Sequence, residues 1–180
     1  APLDAVEALN QQLNSLLVYD PEATHVHSNL DEALAARRGV CQDFTHIMLA
    51  LLRNYLHMPC RYASGYLYHS GDDTSADGAS HAWLEALIPG RGWIGFDPTN
   101  NLRAGERHIR VAYGRDYSDV APTRGVFSGE AISELSVAVS VERVETPVGK
   151  NEDESWLLAQ RQMAQPDDSL PLDEGLLSQL

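Results

Sequence analysis

The chain has 180 residues, 43% of them hydrophobic, which suits one domain with a sizeable core, or one domain plus a tail, and excludes a disordered chain. Its 13 Lys and Arg face 26 Asp and Glu, and the resulting charge of −13 repels phosphate backbones, so no nucleic-acid partner is expected. The longest apolar run, residues 47–52, is far too short to cross a bilayer, so no membrane partner is expected either.

Leu3, Val6, Leu9, Leu13, Leu16 and Leu17 recur at helical spacing and predict an amphipathic helix over residues 3–19, stopped by Tyr19-Asp20-Pro21. Ser28 or Asn29 can cap a short helix over 30–37, with Asp31 and Glu32 in its first turn and Gly39 at its end. A third helix, 41–56, carries the stripe Phe44, Met48, Leu51, Leu52 and Tyr55. After Pro59 the pattern changes to strands. Residues 60–68 set Tyr62, Ser64, Tyr66 and Tyr68 on one face, and a polar loop follows over 69–78. Strands are expected at 80–88 and 93–97, joined by the turn Pro89-Gly90-Arg91-Gly92, and again at 108–113 and 135–144. Helices first and strands after argue for an α+β fold with an antiparallel sheet. Residues 1–149 are expected to form the core. Residues 150–180 are expected to be an acidic tail, disordered or partly helical around 156–163.

Two cysteines, Cys41 and Cys60, make no disulfide framework. They suggest a reducing, cytoplasmic setting with one working thiol and one packed thiol. Cys41 opens the third helix behind Arg37-Arg38-Gly39-Val40. A helix N-terminus carries unpaired N–H groups and partial positive charge, which stabilise a thiolate and can hold an oxyanion. A packed thiol fits the same position, since free cysteine is commonly buried. Alternation places His81, Trp83, Glu85 and Leu87 on one face of the strand 80–88, and Ala82, Leu84, Ala86 and Ile88 on the core face. In an antiparallel pair with 93–97, His81 and Asp97 lie toward the same end. A carboxylate beside an imidazole fixes its tautomer and stabilises its charged form. A surface histidine and a turn aspartate before Pro98 are the plainer uses of these residues.

Three blocks then combine: Arg38-Gly39-Val40-Cys41-Gln42-Asp43-Phe44, Ser80-His81-Ala82-Trp83-Leu84-Glu85 and Gly92-Trp93-Ile94-Gly95-Phe96-Asp97-Pro98-Thr99-Asn100. In order and separation they resemble the bacterial transglutaminase-like superfamily, over roughly residues 20–144. The resemblance implies a papain-like core in which a nucleophile-bearing helix packs on an antiparallel sheet. It implies Cys41 as nucleophile, His81 as general base and acid, and Asp97 as the group that orients His81. It further implies a peptide or protein substrate, with no cofactor. An N-terminal β-rich domain is expected to be absent from this chain, which begins where such a core begins. The bacterial branch is peptidase-like, so hydrolysis of amide bonds through a thioester is the favoured reading. Transglutaminase-type transfer to an amine and a non-catalytic peptide-binding scaffold remain alternatives. The tryptophan that precedes the nucleophile in animal transglutaminases is missing here, where the first tryptophan is Trp83. Among oxyanion donors, only the Cys41 N–H can be named.

Asp43 reads as structural, capping N–H groups or pairing with Arg37 or Arg38. Trp83 and Tyr66 are candidates for the substrate cleft or for core packing. The stretch 108–117 also resembles this bacterial branch, but no role can be assigned in it. No metal site is expected: His25 and His27 have no cysteine pairs or HExxH motif nearby, and Asp72, Asp73 and Asp77 read as a solvated loop.

Overall fold

The computed structural model describes residues 1–24, 28–70, 73–75, 78–122, 125 and 138–143. All but Arg143 belong to one compact unit, Ala1–Glu142. The expected tail 150–180 with its helix at 156–163, and the residues His25, His27, Asp72 and Asp77, lie outside the described residues.

The first helix, α1 (Pro2–Leu16), buries Leu3, Val6 and Leu13 as its spacing predicts. It ends three residues before the expected Tyr19, because Val18–Tyr19 (β1) is drawn into a parallel pair with Arg38–Gly39 (β2). Helix α2 (Leu30–Ala36) is capped by Asn29, whose Oδ1 accepts from the Asp31 N–H at 3.2 Å. Arg37, not Gly39, ends this helix, in left-handed conformation with φ 51°. Gly39 serves a different need: a Cβ there would meet the Asp43 carboxylate at 2.6 Å, so glycine permits a close approach.

Helix α3 (Cys41–Asn54) buries Phe44, Thr45, Ile47, Met48, Leu49 and Leu52. It stops two residues earlier than expected. Tyr55, expected in the buried stripe, falls just past the end and is 77% exposed.

Five strands follow: β3 (Cys60–Leu67), β4 (His81–Ile88), β5 (Gly92–Asp97), β6 (Leu102–Arg103) and β7 (His108–Gly114). They form one antiparallel sheet in the order β6-β5-β4-β3-β7. The β4–β5 hairpin closes at Ile88 and Gly92, where the turn signal places it. One face of the sheet, with Tyr62, Ala82, Leu84, Ala86, Ile88 and Phe96, packs with α1 and α3 into the core. This is the expected α+β arrangement, a helix laid on an antiparallel sheet. Of the strand expected over 135–144, residues 138–143 are described, and they are not in a strand. Among the described residues, no helix is long and apolar enough to cross a membrane.

The opposite face of β4 is also closed: His81, Trp83 and Glu85 are buried, and only Leu87 reaches solvent. Gly65 makes this possible. Its β3 position sits at a register shift, directly opposite both His81 and Arg110. A Cβ at Gly65 would run into the Ile109 carbonyl oxygen and the Trp83 ring. Gly65→Ala is therefore expected to destabilise the protein by about 3 kcal/mol, since two backbones would have to part. At Gly105 a Cβ meets nothing within 4 Å, so Gly105→Ala should stay within about 1 kcal/mol of the parent. Urea unfolding of both variants checks the contrast.

Candidate active site

Three element ends converge. Cys41 is the first residue of α3, His81 the first of β4 and Asp97 the last of β5. The hairpin register pairs Leu84 with Phe96, which carries Asp97 alongside the start of β4. His81 Nε2 lies 2.8 Å from Asp97 Oδ2, with the two side chains 3% and 0% exposed. The Cys41 thiol, half-buried, is within hydrogen-bonding reach of His81. Because Nε2 is engaged by Asp97, Nδ1 is the ring nitrogen left to face the thiol.

Asp97 is unusually well held. Its Oδ1 accepts from the Thr99 N–H at 3.1 Å and the Asn100 N–H at 3.2 Å. Its Oδ2 accepts from Asn100 Nδ2 at 2.9 Å and faces His81 and His108. Asn100 in turn accepts the Thr74 and Ser75 N–H groups, at 2.7 and 3.0 Å, and so ties the loop before β4 to the carboxylate. From α1, Asn14 donates to the carbonyls of Pro98 and Thr99 and fixes the turn that follows Asp97.

Burial alone pushes the Asp97 carboxyl upward. The hydrogen bonds from His108 and His81, and the charge of His81, outweigh it and hold the group well below the usual carboxylate range. Burial likewise disfavours the His81 cation, but the hydrogen bonds to Asp97 and Cys41 and their negative charges raise it to about 10. These shifts favour an imidazolium beside a carboxylate.

Around Cys41 the helix N-terminus is built by Asp43. Its Oδ2 accepts from the Val40 N–H at 2.8 Å and from Thr24 Oγ1 at 2.5 Å. Of the two expected roles the structure shows capping, while Arg38 reaches instead to Asp20 at 3.4 Å. The Asp43 and Phe44 N–H groups bond the Val40 carbonyl, and the partial positive charge of a helix N-terminus suits that end to an oxyanion. Cys60, by contrast, is a half-buried thiol in contact with the Leu49 carbonyl, and burial pushes its pKa up.

Trp83 is 1% exposed; its ring stacks on His81 with centroids 6.1 Å apart. Tyr66 is half-buried and lines a cavity of about 300 Å³ with Ser64, Val111, Asp119 and Ser80, the neighbour of His81. Asp73, expected in a solvated loop, is instead ion-paired to Arg107 at 2.6 Å, its side chain only 4% exposed. Burial acts to raise the Asp73 pKa, but the Arg107 hydrogen bond, the Ser70 N–H and the charges of Arg107 and His69 together hold it below its ordinary value.

One residue of the cluster, at the head of the stretch 108–117, carries no role from the sequence alone. His108, the first residue of β7, places Nε2 3.2 Å from Asp97 Oδ2. With His81 and Asp97 it forms a group of three whose ligand atoms lie within 4.8 Å of one another, a spacing that a metal ion could use.

A model of the transglutaminase-like superfamily matches residues 1–98, a span that contains Cys41, His81 and Asp97. The chain belongs to the transglutaminase-like superfamily. An uncharacterised Mycobacterium leprae protein is 43% identical over 146 residues, 79% of this chain and 51% of the relative. An uncharacterised Mycobacterium tuberculosis protein is 36% identical over 148 residues, 77% of this chain and 47% of the relative. This transglutaminase-like chain thus spans about half the length of the curated relatives it matches. Among solved structures, a protein from Cytophaga hutchinsonii described as a candidate cysteine protease superposes with a TM-score of 0.61 at 28% identity, covering 83% of this chain and 50% of that one. Superfamily membership and this neighbour support a cysteine-dependent catalytic role.

Proposed function

We propose that this protein hydrolyses peptide or side-chain amide bonds, with Cys41, His81 and Asp97 as its catalytic triad. The observation that carries the reading is the buried His81–Asp97 contact of 2.8 Å, with the Cys41 thiol close enough to act on the same imidazole. The Cys41 thiolate attacks the amide carbonyl, and the oxyanion forms against the N-terminus of α3. His81 Nδ1 gives its proton to the leaving nitrogen as the C–N bond breaks, leaving a thioester on Cys41. Water then adds to the thioester and gives a proton to His81, and the acid product leaves with the thiolate restored. Trp83 backs the His81 ring, and Tyr66 lines the neighbouring cavity as a substrate contact. Hydrolysis is favoured over transfer by the likeness to the candidate cysteine protease.

Two assays test this. In a Cys60→Ser background, Cys41 should react with iodoacetamide at least about tenfold faster than free cysteine at neutral pH, and His81→Ala should abolish the excess. Equal, slow rates in both would remove the activated thiol. A glutamine-containing peptide offered with a labelled amine should be cleaved without label. Label incorporated without cleavage would replace hydrolysis by acyl transfer.

A further inference from the structure

Three side chains that could ligate a metal, beside a thiol, raise the question of what His108 does. Its other ring nitrogen answers it. The Gly105 N–H points at His108 Nδ1 across 3.3 Å. A backbone N–H can only donate, so Nδ1 must offer a lone pair, and a neutral imidazole then carries its proton on Nε2. That proton lies on the line to Asp97 Oδ2, 3.2 Å away. A metal ligated by Nε2 would require a proton on Nδ1, set against the Gly105 N–H. The cluster is therefore wired for hydrogen bonding rather than for ligation.

We infer that His108 is a positioning residue of the triad proposed above, donating from Nε2–H to Asp97 Oδ2 and sharing that oxygen with His81. The ring is firmly held, with its side chain 3% exposed; it meets Trp83 edge-on at 5.1 Å, while Trp83 stacks on His81. The consequence is electrostatic. Asp97 Oδ2 faces three donors, from His81, His108 and Asn100. Each extra donor takes up part of the carboxylate charge, and so weakens its hold on the His81 proton. An imidazolium gripped too tightly is a poor acid toward a leaving amine, because general acids work best with pKa values near the operating pH. His108 thus moderates the Asp97–His81 pair while fixing the carboxylate rotamer. The other charged or titratable groups acting here are Cys41, which acts on His81, and Arg107, whose charge reaches Asp97 and is itself paired to Asp73.

Imidazole ¹H–¹⁵N correlation spectra of the ¹⁵N-labelled protein test the proposal directly. In the wild type at neutral pH, His108 should show a protonated Nε2 and an unprotonated Nδ1. A proton on Nδ1, or on both nitrogens, overturns the proposal and requires no variant. So does stoichiometric uptake of added Zn²⁺ that abolishes the Nε2–H signal. In His108→Ala the His81 titration midpoint should rise by about half a unit, roughly threefold in its acid constant. His108→Gln, whose amide nitrogen replaces Nε2 as donor, should return it to near the wild-type value. An unmoved or lowered midpoint in His108→Ala, or a glutamine variant matching alanine, overturns the proposal. These spectra do not depend on whether Cys41 reacts. Slow alkylation of Cys41 alongside the expected tautomer would overturn the triad itself, and the role of His108 within it, whereas the wrong tautomer overturns the His108 role alone.

Discussion

Cys41→Ser is expected to lower kcat/KM for amide hydrolysis by about four orders of magnitude or more, with the fold retained. The substitution keeps the shape of the side chain and exchanges only the nucleophilic atom. A serine hydroxyl does not ionise beside an imidazolium as a thiol can, so the ion pair that prepares the attack is lost. Cys41 sits only partly buried at the margin of the core, where serine is close to the same size, and the α3 N-terminus is held by Asp43 on the Val40 N–H. The unfolding midpoint should therefore move by less than about 1 kcal/mol in equivalent stability. Cys60→Ser supplies the contrast. That thiol sits against a backbone carbonyl with its pKa pushed up by burial, and its loss should leave kcat/KM within about threefold. Adding His81→Ala to Cys41→Ser should reduce the rate little further, because groups that act as one unit fail together. Independent, multiplying losses would show that Cys41 and His81 do not share a step.

Much of this site is legible in the sequence because the local patterns and the three motif blocks agree. Apolar spacing places α3 and puts Cys41 at its start. Strand alternation and the Pro89–Gly92 turn bring His81 and Asp97 to one end of a hairpin. What escapes a linear reading depends on contacts between distant segments. The two-residue strands β1 and β2 have no periodicity of their own; they exist because the end of α1 meets the segment before Cys41. The burial of His81 and Trp83 depends on Gly65, a β3 residue whose missing side chain leaves room for the tryptophan. His108 is the clearest case. It belongs to no short motif shared with Asp97, and it arrives only through the β3–β7 register, shifted at Gly65, that sets Leu67 opposite His108. A histidine at the head of a strand, two residues before one that shares its row with His81, was the available signal. It needed the sheet order to be read.

Asp97→Asn is expected to reduce kcat/KM by about 10³–10⁴-fold, and its pH behaviour identifies the reason. Asp97 Oδ1 already takes two backbone N–H groups, so the asparagine oxygen stays there and the new amide NH₂ occupies the Oδ2 position. It then confronts His81, His108 and Asn100, which all presented donors to the carboxylate. Only an acceptor can be tolerated at His81 Nε2. The proton moves to Nδ1, facing the thiol, and neutral His81 can no longer take a proton from Cys41. The carboxylate charge that raises His81 to about 10 also disappears, so the alkaline limb of kcat/KM should move to lower pH. Stability follows the same linkage. The Asp97 pKa is lowered by folding, so its contribution is present above its unfolded value of about 3.9 and is lost as pH falls through the folded value. The His81 pKa is raised, so its contribution is full below its unfolded value of about 6.5 and is lost as pH rises toward about 10. Both are complete only between about pH 4 and 6.5. In that window Asp97→Asn should cost about 3 kcal/mol, because it leaves donors buried without an acceptor. The gap to the wild type should narrow on either side. Unfolding measured from pH 3 to 10 checks this, and a gap that is constant across the range would mean that the carboxylate and the imidazole are not charge-coupled.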